Sequence, residues 1–229
     1  MGGHEKGEVA SNLAVTSLRV WLSAIQPDSF SSDQFIEIFH EINSTVRKQA
    51  SEAQELTKIG TTLTALLITT DTAFVAHVGD SRAYLFRNRE LQQLTKDHSL
   101  IGEQIRTGKL SWEAAKNHPS RHILTRAVGV REFMEVDLIQ TEIKKDDILL
   151  LCSDGIHGMI SDEKIKGILL SAPFSKVAET LVSAANEAGG LDNSTAVAVQ
   201  ISSFPVFYPS HFSWYRFKKL MLSRWFDAT

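Results

Sequence analysis

A single cysteine, Cys152, stands in 229 residues, so no intramolecular disulfide can form and the chain suits a reducing compartment. Basic residues are not in excess either. The 24 Lys and Arg against 27 Asp and Glu give a formal net charge of -3, which leaves no global field to draw nucleic acid. No apolar run approaches the roughly 18 residues of a membrane span, and residues 1–30 lack the charged-then-apolar layout of a signal peptide. Internal repeats and low-complexity segments are missing as well. These absences leave an ordinary globular protein, expected to be cytoplasmic, with 43% hydrophobic and 22% charged residues and enough length for one sizeable core.

What is present divides by period. Val9, Ala10, Leu13, Ala14, Leu18, Trp21 and Leu22 form a helical stripe closed by Pro27 and Asp28, and Phe35, Ile38, Phe39, Ile42 and Val46 form a second. Ser31 with Gln34 three residues on reads as a capping box for the second. Two amphipathic helices thus fill most of residues 8–54. From Gly60 the run "TTLTALLITTDTAFVAHVGDSRAYLF" reads as three short strands turning at Asp71 and at Gly79-Asp80, an antiparallel meander, with "LQQLTKDHSL" adding a fourth. Residues 98–127 are polar and irregular, the length at which a loop is often functional. Strands resume in "FMEVDLIQTEI" and "DDILLLCSDG". Two helices follow, one capped by Ser161 and one carrying Phe174, Val177, Ala178, Leu181, Val182 and Ala185 up to Gly189-Gly190, and "STAVAVQI" is a last strand. Helices, a strand block, helices and a strand, without strict alternation, predict an α+β domain of antiparallel sheets with helices outside.

Three aspartates stand where apolar strands meet turns: Asp97 in "LTKDHS", Asp154 in "CSDG" and Asp192 in "GGLDNS". Carboxylates converging without cysteine or clustered histidine suit a hard divalent cation, Mg²⁺ or Mn²⁺. Taken singly, each is better read as a turn residue, since Asp-Gly and Asp-Asn are routine turn pairs. "GDSR" at 79–82 reads as a hairpin turn between strands, and Cys152 as a core thiol. His118, Arg121 and His122 either touch an anionic substrate or are simply solvated.

The combination says more than its parts. "MGGHEKGEVAS", "GTTLTALLI", "VGDSRAYLFRNRELQQLTKDHSL", "HPSRHILTRAVG", "LLLCSDGIHGMISDEKI" and "GGLDNSTAVAV" occur in this order. Together they resemble the metal-dependent Ser/Thr protein phosphatases of the PPM (type 2C) family in its bacterial form, from residue 1 to about residue 201. The resemblance implies a four-layer α/β/β/α sandwich of two antiparallel sheets. It implies two, with room for a third, Mg²⁺ or Mn²⁺ ions that activate a water for in-line attack on phosphoserine or phosphothreonine. By motif, Asp154 and Asp192 become ligands of the core metals, Asp97 a ligand of a weaker third metal shared with Asp154, and His4 part of the phosphate pocket. Residues 101–127 match the family's variable flap, and Asp80 and Arg82 become structural turn residues. The partners implied are phosphorylated proteins, a cognate Ser/Thr kinase among them, met by a monomer.

The family motif runs Asp-Gly-Met-Gly-Gly-His, and this sequence starts at its methionine. The bridging Asp, the following Gly and the first strands are therefore expected to be missing. The expectation is of an N-terminally incomplete phosphatase domain, 1–201, set against a phosphatase-like binding module without catalysis. Beyond it, residues 202–229 hold nine of the chain's aromatic residues, with Trp214, Phe217, Met221 and Trp225 on one helical face. That basic, aromatic tail reads as an amphipathic helix, either docked on the domain or meeting a membrane surface or a partner.

Overall fold

The computed structural model describes residues 4–24, 31–52, 59–111, 114–115 and 118–203. Helix α1 (His4–Ala24) and helix α2 (Ser32–Glu52) come first. α1 starts five residues ahead of the apolar stripe, so His4 opens a helix. The capping box at the head of α2 forms as read: the Gln34 backbone N–H donates to Ser31 Oγ, and the Ser31 N–H donates to Gln34 Oε1 at 2.9 Å.

Among the described residues, seven strands follow in two antiparallel sheets. β1 (Leu63–Ile68), β2 (Thr72–Val78) and β5 (Asp137–Glu142) make one, in the order β1-β2-β5. β3 (Arg82–Arg87), β4 (Glu90–Gln93), β6 (Ile148–Cys152) and β7 (Ala196–Gln200) make the other, in the order β4-β3-β6-β7. The meander expected over β1 to β3 is therefore corrected. β1 pairs with β2, but β2 and β3 belong to different sheets, and residues 79–81 carry the chain across. Between strands lie α3 (Leu100–Arg106), the short α4 (Asp154–His157), α5 (Asp162–Ser171) and α6 (Val177–Glu187). Ser161 caps α5 by accepting from the Lys164 N–H. α4 is absent from the sequence reading, which ends the strand at "SDG" and starts nothing there.

Strand periodicity separates the two faces of each sheet and produces three cores. Ala10 and Ala14 of α1, Phe35, Phe39, Ile42 and Val46 of α2, and Leu63, Ala65, Ala76 and Val78 form the first. Tyr84, Phe86, Ile148, Leu150 and Cys152 meet Ile165, Ile168, Val177 and Leu181 in the second. Between the sheets, Ala73, Leu85, Ile143, Leu149 and Ile201 make the third. Three apolar interfaces define four layers, α/β/β/α. Cys152 is buried in the second core, and burial pushes its thiol up to about 12, as suits a packing residue. The expected tail helix falls on residues 204–229, outside the described residues.

Candidate active site

Antiparallel strands return chain ends to the same place. β2, β4 and β6 finish, and β3 and β7 begin, at one end of the sandwich, where a cleft of about 170 Å³ opens. Asp97, Asp154 and Asp192 all line it, as do Asp80, Arg82, Arg121, His122 and His157. His4 stands at the first turn of α1, and its side chain lies outside the described residues.

Two turns bring Asp154 and Asp192 together. Ser153 Oγ donates to the Asn193 carbonyl at 3.2 Å and accepts from the Thr195 N–H at 3.0 Å, while Ser194 Oγ donates to the Gly155 carbonyl at 2.9 Å. A Cβ on Gly155 would lie 2.3 Å from the Asn193 carbonyl oxygen, so only glycine permits this approach. Burial, then the nearby Asp192 charge, raises the Asp154 carboxyl above its ordinary range, while the His122 ring works the other way. The exposed Asp192 accepts from the N–H of the next residue, Asn193, at 2.7 Å.

Asp97 is engaged differently. Its two oxygens take a bidentate pair from Arg82, Nε at 2.8 Å and a terminal nitrogen at 2.7 Å, and Gln93 adds a third bond. Burial works to raise this carboxyl, but the Arg82 pair outweighs it and holds it below the ordinary range. Three bonds thus take up most of its acceptor capacity.

Asp80 is the opposite case. Among the described residues no other side chain donates to its carboxylate. Burial first, then Asp154 and Asp97, push its pKa up to about 7. The hairpin reading of "GDSR" fails because β2 and β3 lie in different sheets, and the crossing itself delivers Asp80 into the cleft. The signal was the same one that marked Asp154, an aspartate beside a glycine at a strand end. His157, buried in α4, was missed for a plainer reason: nothing local separates it from a core histidine.

The arrangement fits a hard divalent cation. Asp80 and Asp154, and Asp154 and Asp192, are like-charged neighbours whose ionisation is opposed where they stand. Among the described residues no three His, Cys, Asp or Glu side chains close on one point. Paired carboxylates leaving other positions to water and substrate oxygens are the usual terms on which Mg²⁺ is bound.

The comparisons agree with this chemistry. Residues 1–194 match the family described as protein phosphatase 2C. The serine/threonine phosphatase stp of Listeria monocytogenes is 39% identical over 204 residues, a match covering 87% of this chain and 81% of that one. A crystal structure of a serine/threonine phosphatase from Staphylococcus aureus superposes with a TM-score of 0.81 at 31% identity, over 89% of this chain and 81% of that one. The catalytic domain of the phosphatase PstP, solved with two manganese ions, gives 0.77 at 33% identity, over 86% and 83%. The chain belongs to the protein phosphatase 2C family.

Proposed function

We propose that the cleft hydrolyses phosphoserine and phosphothreonine on proteins, using Mg²⁺ or Mn²⁺ held by Asp80, Asp154 and Asp192. The activity follows from the family, whose relatives named above are serine/threonine phosphatases, one of them solved with two manganese ions; catalysis is favoured over a mere binding role. The single observation that carries the assignment of ligands is that Asp80, Asp154 and Asp192 line one cleft, with the clasp between the Ser153 and Asn193 turns bringing Asp154 beside Asp192. Asp154 is the shared member. Asp80 takes the third-metal role that motif alone gives to Asp97, because Asp97 is spent on Arg82.

A divalent cation bound there supplies Lewis acidity, acidifying water and neutralising phosphoryl charge. The protein's own groups do the rest. Arg121 and His122, on the rim, present cationic or donor groups to a phosphate dianion. Asp97 holds the Arg82 guanidinium against Tyr84 Oη at 3.0 Å, which stiffens the floor beside Asp80. The cleft opens to solvent with Arg121 and His122 among its lining residues, and in this reading substrates are read mainly by their phosphate. His4 belongs to the phosphate pocket in this reading.

Phosphorylated proteins are the partners, and we place a cognate Ser/Thr kinase among them. No helix of the described residues is long and apolar enough to cross a membrane. We assign the protein to the cytoplasm as a monomer, with residues 1–201 as its catalytic domain and the tail as an amphipathic helix that either docks on that domain or meets a membrane surface or partner. The ligand assignment is tested by titrating Mn²⁺ into the chain and following heat. Asp154→Asn should weaken binding about 10–100-fold, and an unchanged isotherm would reject the assignment.

A further inference from the structure

The crossing between the sheets is held more firmly than a connection of its length requires. The Gly79 N–H donates to His98 Nδ1 at 3.2 Å, and the His98 backbone N–H donates to the Gly79 carbonyl at 2.7 Å. Thr62 and Ser81 hydroxyls share a bond of 2.9 Å. Gly79 itself has φ +118°, and a Cβ there would meet Thr62 Cγ2 at 2.3 Å. The Asp80 carbonyl accepts from His157 Nε2 at 2.8 Å.

That last bond spans 77 residues, and it starts from α4, the same one-turn helix whose first residue is Asp154. A single short helix therefore offers one carboxylate to the cleft and, three residues later, grips the backbone beneath another. We propose that His157 is a positioning residue: its Nε2–H, bonded to the Asp80 carbonyl, sets the separation of the Asp80 and Asp154 carboxylates and so assembles the metal site across two sheet-end turns. This rests on the reading of Asp80 as a ligand given above. The tautomer follows from the partner, since a carbonyl only accepts and Nε2 must carry the proton. His98 obeys the same logic in reverse. Its Nδ1 accepts from Gly79, leaving Nε2 to donate to Asp137 at 3.2 Å.

The test uses the full chain and Mn²⁺ alone. His157→Leu, which keeps an apolar side chain but no donor, should weaken Mn²⁺ binding about tenfold or more, the usual effect of removing a group that orients a ligand. His157→Gln, whose amide nitrogen reaches the Nε2 position, should stay within about threefold of the parent. In an Asp80→Asn background His157→Leu should cost nothing further, because its effect runs through Asp80. Parent-like binding by folded His157→Leu, or an equal loss in the Asp80→Asn background, would overturn the proposal. If Asp80→Asn alone leaves Mn²⁺ binding untouched, it is the ligand assignment that fails. Where His157→Leu does not fold, ¹⁵N NMR of the unaltered protein decides. A proton on Nε2 with a bare Nδ1 upholds the strut, and a proton on Nδ1 removes it.

Discussion

At the scale of single residues, Asp80 is the carboxyl whose ionisation the site most opposes, held near 7 by burial, Asp154 and Asp97. Its folded value lies above the ordinary 3.8, so its contribution to stability is complete below about pH 4 and is lost as the pH climbs through about 7. A divalent cation binds the ionised form and acts in the opposite sense. The rise in Tm on adding Mn²⁺ should therefore be larger at about pH 8 than at about pH 5, and Asp80→Asn should flatten the difference. Thermal unfolding at the two pH values checks this; equal shifts in the unaltered protein would separate Asp80 from the cation. Asp97 shows the limit of reading such residues from sequence. Asp80, Asp97, Asp154 and Asp192 all look alike there, as aspartates at strand ends. Which of them is neutralised is decided by Arg82, brought onto Asp97 by the β3–β4 hairpin, and no local pattern announces that pairing.

At the scale of elements, the site depends on two close approaches, the 79–81 crossing and the clasp between "SDG" and "LDNS". Gly155→Ala would drive a methyl group into the Asn193 carbonyl, 2.3 Å away. That backbone atom cannot yield without moving the Asp192 turn. The substitution should destabilise the fold by about 1–3 kcal/mol and weaken Mn²⁺ binding, since it parts Asp154 from Asp192. Gly167→Ala is the control: inside α5, with nothing within 4 Å of the added methyl, it should stabilise by about 0.5–1 kcal/mol. Urea unfolding with Mn²⁺ titration separates the two, and a neutral Gly155→Ala would show that the clasp is slack. The strands and most helices were legible because apolar spacing and caps such as Ser31 and Ser161 act locally. Sheet membership was not. Three residues between β2 and β3 suit a hairpin and a crossing alike, and only the pairing of β2 with β5 and of β3 with β6 distinguishes them.

At the scale of the whole molecule, three cores stack four layers so that strand ends of both sheets share one rim, and the acidic cleft is the product of that stacking. The α+β class was readable from element order. The layer count and the convergence of the aspartates came into the sequence reading through resemblance, because non-local packing leaves no periodic trace. The central claim is that this cleft hydrolyses phosphoproteins by means of a cation on its aspartates. It is tested most directly by measuring inorganic phosphate released from a phosphothreonine peptide, in Mn²⁺ and in excess chelator. The full-length protein is assayed unaltered and again with Asp154→Asn. The account predicts release in Mn²⁺, none above background in chelator, and a loss of about a hundredfold or more with Asp154→Asn. Undiminished release in chelator, or parent rates from folded Asp154→Asn, would contradict it.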